Sequence, residues 1–156
     1  MNEQIKYCQL CIVEYLNSGF TLFPCNDKKI PLIKGWNKLA FDNSERYIAL
    51  LMVAGAYGVL LKEDDLVLDY DPRRDDIYLG QLKEFIKLLG YTTPLKTLIV
   101  STARNGLHVY LKRHPSENRL PSYVPNFPAI EVKRQGHFVI GAGSIINGVQ
   151  YKIVRR

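Results

Sequence analysis

Leu66-Val67-Leu68-Asp69-Tyr70-Asp71-Pro72 alternates apolar and polar side chains up to a proline. Successive side chains on a strand point to opposite faces, so Asp69 and Asp71 share a face with Val67, opposite Leu66 and Leu68. Two later stretches repeat the pattern. In Leu107-His108-Val109-Tyr110-Leu111, His108 and Tyr110 oppose three aliphatic residues. In Ile130-Glu131-Val132-Lys133, Glu131 and Lys133 oppose Ile130 and Val132. If the three strands pair in one sheet, one face is apolar and the other gathers two aspartates, a histidine, a glutamate and a lysine.

The surrounding chain supplies layers to cover such a sheet. Residues 3–17 form an amphipathic helix on the spacing of Ile5, Cys8, Ile12, Tyr15 and Leu16, and Asn17-Ser18-Gly19 stops it. A short strand runs from Phe20 to Phe23 and ends at Pro24, followed by a basic loop, 26–36. A second helix starts near Asp42, where Asp42-Asn43-Ser44-Glu45 offers an acceptor at the cap and a glutamate three residues on, and Gly55 ends it. Ala56 to Leu61 and Leu66 to Tyr70 are strands joined by a polar turn. Leu82, Phe85, Ile86 and Leu89 mark a third helix closed by Gly90. Strands are expected at Thr97–Ser101, Leu107–Lys112, Ala129–Lys133, His137–Ile140 and Val149–Val154, with Pro115–Pro128 a long surface loop. This order argues an α+β domain with a largely antiparallel sheet. It is read as one domain, 1–156, with a small N-terminal αβ unit over 1–55 and the main sheet over 56–156.

Composition sets limits. The 156 residues are 47% hydrophobic and 23% charged, with 10 Tyr, 6 Phe and 1 Trp, which excludes disorder. No apolar run is long enough to span a bilayer, and the N-terminus lacks the apolar region of a secretory signal, so a cytoplasmic protein with no membrane partner is expected. A net charge of +6 favours polyanionic partners. Cys8, Cys11 and Cys25 are an odd number in a chain without an export signal, so a disulfide framework is not expected. Cys8 and Cys11 have CxxC spacing, but they fall on the buried stripe of the first helix, and zinc would need two more ligands nearby. His114 and His137 read as surface histidines.

The acids carry the chemistry. Carboxylates at i and i+2 crowd like charges, which a divalent cation relieves, and hard oxygen ligands suit Mg²⁺ or Mn²⁺. Glu131 from another strand would complete a site for one or two ions, of the kind that stabilises the attacking and leaving oxygens of phosphoryl transfer. His108 and Lys133 could then hold a triphosphate. A half-exposed antiparallel sheet also carries a polar face with no function at all, so the alternation alone leaves both readings open.

The order of these pieces resembles the primase-polymerase domain of the archaeo-eukaryotic primase superfamily, as found in plasmid and virus replication proteins. The resemblance runs from the first helix to about Tyr151. It rests on Gly19-Phe20 and Phe23-Pro24, on Lys29-Ile30-Pro31 followed by Trp36, and on Tyr57-Gly58-Val59-Leu60 ahead of Leu68-Asp69-Tyr70-Asp71-Pro72. It continues through Ser101-Thr102-Ala103-Arg104-Asn105-Gly106-Leu107-His108-Val109-Tyr110, and through the block from Ile130 to Ser144. Three positions depart from the usual pattern. Glu131 replaces an aspartate, Asn105-Gly106 replaces Gly-Gly, and Gly143 replaces a proline.

The resemblance implies a sheet of RNA-recognition-motif type and template-directed nucleotidyl transfer: primer synthesis, DNA polymerisation or both, in the replication of a plasmid, virus or integrated element. It implies that Asp69, Asp71 and Glu131 hold Mg²⁺ or Mn²⁺, with His108 beside them in catalysis. His108, Lys133, Arg134, Ser144 and Arg104 would contact an NTP or dNTP. Lys28, Lys29, Lys34 and Trp36 would meet a single-stranded DNA template, since basic groups with an aromatic suit single strands. Burial of Trp36 in the core is the competing expectation. Family members often add a helical bundle and a helicase, so a separate helicase or helical accessory protein is the expected partner, and primer initiation by the chain alone is expected to be poor. Two rival functions remain: a non-catalytic single-strand- or origin-binding module on the same fold, and a metal-dependent nuclease using the same acids.

Overall fold

A computed structural model describes residues 2–72, 80–91, 97–112 and 121–155. Helix α1 (Glu3–Asn17) is capped by Asn2, whose side chain accepts from the Gln4 N–H at 2.8 Å. Its buried stripe is Cys8, Cys11, Ile12, Tyr15 and Leu16, whereas Ile5, expected on that stripe, is exposed. Strand β1 (Thr21–Cys25) runs through Pro24 instead of ending at it. A strand tolerates proline at a sheet edge, and β1 is an edge whose Pro24 carbonyl is still used, accepting from Leu32 N at 2.9 Å. Helix α2 (Glu45–Ala54) starts three residues later than the Asp42 reading. Ser44 is the cap, accepting from Tyr47 N at 3.2 Å, while Asp42 accepts from Ser44 N at 2.9 Å one turn outside the helix.

Two sheets organise the rest, and every strand pairing in them is antiparallel. β2 (Ala56–Leu60) lies between β1 and β7 (Phe138–Ile140) in a three-stranded sheet. β3 (Asp65–Tyr70) is inside a five-stranded sheet ordered β10-β4-β5-β3-β6, where β4 is Ile99–Ser101, β5 Leu107–Lys112, β6 Ile130–Lys133 and β10 Lys152–Arg155. β2 and β7 complete the sheet that β1 begins. Helix α3 is Gly80–Leu88. The fold is mixed α+β with mainly antiparallel sheet, as the alternation predicts.

The expected strand Val149–Val154 is two strands. β8 (Ile145–Ile146) and β9 (Val149–Gln150) form a hairpin across Asn147-Gly148, both with positive φ, and β10 follows in the larger sheet. Asn-Gly between apolar residues is the sequence mark of such a turn. Tyr151 is the break: its N–H donates to Ser144 O and its carbonyl accepts from Gly143 N, both at 2.8 Å.

Each face of the five-stranded sheet is covered differently. Leu66, Leu68, Tyr70, Val109, Leu111, Ile130 and Val132 bury against Leu82, Phe85 and Ile86 of α3 and Leu89 just after it. On the opposite face, Val67, Val100 and Tyr110 join the larger core formed by α1 and the three-stranded sheet. The face bearing the acids is thus not an open solvent face. It is roofed over part of its area and open where Asp69 and Asp71 lie. All three cysteines are free thiols in this larger core. Among the described residues no helix is long and apolar enough to cross a membrane. His114 and the 115–120 part of the expected loop lie outside the described residues.

Candidate active site

The parity of three short strands becomes register in the sheet. β3 is flanked by β5 on one side and β6 on the other, and Asp69 stands directly opposite both His108 and Glu131. Directly opposed residues on antiparallel strands bring their side chains within reach of each other, so one aspartate faces a histidine and a second carboxylate. Two positions along, Val67 stands opposite Tyr110 and Lys133, which places Lys133 beside Glu131 on the same face. Asp71 continues the ladder beyond the strand through its N–H to Ala129 O at 2.8 Å.

Charge is compensated pairwise here. Asp69 Oδ1 lies 3.6 Å from His108 Nε2, and Glu131 Oε1 lies 3.6 Å from Lys133 Nζ. His108 is buried, and burial pushes its pKa down, as do the Lys133 and Lys29 charges, while Asp69 and the Ile140 main chain act the other way. Burial dominates, so the ring favours the neutral form. The ring packs edge-on to Tyr151, centroids 5.9 Å apart, and its buried Nδ1 has no well-formed hydrogen bond.

Two adjoining cavities open over these groups. One, of about 210 Å³, is bounded by Asp69, Asp71, Arg104, the Thr102–Ala103 turn and Asn147. The other, of about 360 Å³, is bounded by Trp36, Lys133, Gly136, His137 and Phe138. Lys29, Asp69, His108 and Tyr151 line both. Asp69, Asp71, His108, Arg104, Lys133, Lys29 and Trp36 are therefore brought together. Trp36 is partly buried: it packs against Phe23 and Phe138, with ring centroids 5.1 and 4.8 Å away, and it borders the cleft.

Other residues expected at the site lie elsewhere. Lys28 and Lys34 are exposed and border neither cavity, and neither does Arg134, whose N–H donates to His137 Nδ1 at 3.3 Å. Ser144 is fully buried, with its hydroxyl accepting from Tyr57 N at 3.1 Å, a bond that joins β2 to the chain leaving β7. Tyr151 and Asn147 were not among the expected site residues. The Asn147-Gly148 dipeptide was the available signal for Asn147. Tyr151 had none, because its position depends on how the chain crosses between sheets.

The carboxylates suit a hard divalent ion in kind: Asp69 and Asp71 border one cavity, and Glu131 is opposed to Asp69. Among the described residues, no three His, Cys, Asp or Glu side chains are gathered closely enough to enclose an ion. His108 and Lys133 hold Asp69 and Glu131 instead.

The turn between β4 and β5 explains one departure from the motif pattern. Asn105 takes a left-handed φ of 60°, a conformation asparagine tolerates. Gly106 is needed for another reason: a Cβ there would run into the Tyr70 carbonyl and sit 2.8 Å from Thr102 Oγ1. Gly143, in place of a proline, lets its own backbone approach α1, where a Cβ would come 2.7 Å from Cys8 Cα.

Comparison with curated proteins gives no match. A family model does match, over residues 12–156, which takes in the C-terminal part of α1, every later element and every residue lining the cleft. On that match the chain belongs to the family of bifunctional DNA primase/polymerase N-terminal domains.

Proposed function

We propose that this domain performs template-directed nucleotidyl transfer, as a primase, a DNA polymerase or both, in the replication of a plasmid, virus or integrated element. Family membership supports primase/polymerase activity in general. The observation that carries the finer reading is the placement of Asp69 opposite both His108 and Glu131, with Asp69 and His108 in a cleft also bordered by Lys29, Arg104 and Lys133. Acids at the centre with cations around them are what a metal-borne triphosphate requires.

Asp69, Asp71 and Glu131 would hold Mg²⁺ or Mn²⁺, which when bound neutralises phosphate charge and stabilises the attacking and leaving oxygens. The chain's own groups act around that point. His108, predominantly neutral and buried, donates a hydrogen bond from one ring nitrogen to a phosphate oxygen. Lys133, whose Nζ lies 3.6 Å from Glu131 Oε1, would supply positive charge to the same triphosphate. Arg104, on the turn across the cleft, offers planar donors from the opposite side. Trp36 gives an aromatic surface at the cleft edge for a base, with Lys28 and Lys34 behind it for the template backbone. A helicase or helical accessory protein as partner belongs to the same proposal on the family resemblance.

Primer extension on a primed single-stranded template, with Mg²⁺ or Mn²⁺ and with NTPs and dNTPs supplied separately, tests it. Template-dependent extension is the expected result. The non-catalytic single-strand-binding module is the second reading, favoured by the lack of three gathered ligands among the described residues. It predicts DNA binding with no extension and no metal-dependent binding of triphosphate. Strand cleavage without triphosphate would point to a nuclease.

A further inference from the structure

Lys29 occupies a backbone conformation that lysine avoids. Its φ is 65°, one of three positive values at non-glycine residues among the described residues. Such a conformation costs free energy and persists where the surroundings dictate it. Here they do. Asn26 anchors the turn from both sides: its Oδ1 accepts from Lys28 N at 2.9 Å and Ile30 N at 3.0 Å, its carbonyl accepts from Lys29 N at 3.0 Å, and its own N–H donates to Ile30 O at 3.0 Å. Beyond the turn, Leu32 N bonds Pro24 O and Pro31 bridges to Cys25, so the loop is tied to the rigid edge of β1. The turn is fully bonded, and it lies where the two cavities meet.

Lys29 borders both cavities, with Asp69 and His108. Its charge acts on the His108 ring, which places it near the catalytic groups rather than out along the loop. Lys28 and Lys34, from the same loop, border neither cavity. Among the described residues Lys29 forms no ion pair, so its charge is not already committed to an acid. We infer that Lys29 is a phosphate-binding residue for the incoming nucleotide, held in a strained turn at the junction of the two cavities, and not part of the template grip with Lys28 and Lys34. This rests on the nucleotidyl-transfer reading above and assigns a group to it. A compact ammonium at that junction reaches phosphate oxygens without the two-pronged geometry a base edge would ask for.

Three variants of the full chain test it, each assayed by fluorescence anisotropy with Mn²⁺ for a labelled nucleoside triphosphate, the corresponding nucleoside, and a primed DNA template. Lys29→Met should weaken triphosphate binding about ten- to a hundred-fold, the scale of one charge-assisted hydrogen bond, and leave nucleoside and DNA binding nearly unchanged. Lys29→Arg should restore most of the loss. Lys29→Gly should show the same binding defect with a melting temperature equal to or above that of the parent, since glycine relieves the strain. Triphosphate binding at the parent level in Lys29→Met and Lys29→Gly overturns the inference alone. Equal loss of DNA and triphosphate binding returns Lys29 to the template loop and overturns it as well. A parent chain that binds no triphosphate with Mn²⁺ overturns the nucleotidyl-transfer reading and this inference together.

Discussion

At the scale of single residues, Asp69 is held from both sides by its cross-strand neighbours. It faces a histidine on one side and a carboxylate on the other, two residues from a third acid. Asp69→Asn or Asp71→Asn should therefore abolish primer extension while keeping the fold, and a thermal melt of the metal-free variant should be no lower than the parent's, since like-charge crowding is relieved. Near-parental extension by either variant would remove that acid from the proposed ion site. The cysteines make a different prediction. Burial raises Cys8 from 9.0 to about 11 and Cys25 from 9.0 to about 12. A thiol with a raised folded pKa keeps its proton in the native state, so its contribution to stability is complete below the unfolded value and is lost as pH rises through the folded one. Melting temperature should accordingly fall from about pH 9 upward, and Cys25→Ala should flatten that fall. Buried Tyr15, Tyr57 and Tyr110, whose hydroxyls burial also pushes upward, add to the slope from about pH 10.

At the scale of elements, the turn between β4 and β5 does two jobs at once. It pins β5 against β3 and sets the Thr102–Arg104 wall of the first cavity. Gly106→Ala should cost about 2 kcal/mol or more in chemical denaturation, because the Tyr70 carbonyl is backbone and cannot swing aside. Asn105→Gly should change stability by only a few tenths of a kcal/mol, since asparagine already accommodates that φ. Strand identities were readable here because one apolar and one polar face impose a strict period of two. Element ends were less so. Nothing in Asp42-Asn43-Ser44-Glu45 says which of two good acceptors caps α2, and the answer, Ser44, is set by where the helix must start to pack on α1 and β1. Pro24 looked like a stop and is not, because an edge strand can spare one N–H.

At the scale of the whole molecule, the two sheets meet across a layer of tyrosines. Tyr15 of α1 donates or accepts across 2.9 Å to Tyr110 of β5 and accepts from Ala142 N at 3.3 Å, while Tyr57 of β2 bonds the Ala142 carbonyl. Tyr15→Phe would leave two buried partners short of a bond and should cost about 1–3 kcal/mol in denaturant unfolding, and a double-mutant cycle with Tyr110→Phe should show coupling. That layer roofs half of the acidic face and leaves the other half as the cleft, which no local pattern announces. The sequence alone determined β3, β4, β5 and β6 of the larger sheet, the side on which Asp69, Asp71, His108, Glu131 and Lys133 lie, and the helix that covers the opposite side, because side-chain alternation and helical spacing are local consequences of backbone geometry. Only tertiary structure decided that β3 sits between β5 and β6, that Ser144 is spent on Tyr57, that Tyr151 lines the cleft and that Lys29 parts from Lys28 and Lys34. Those are matters of which strand neighbours which and where loops cross between sheets, and they depend on contacts between residues far apart in the chain.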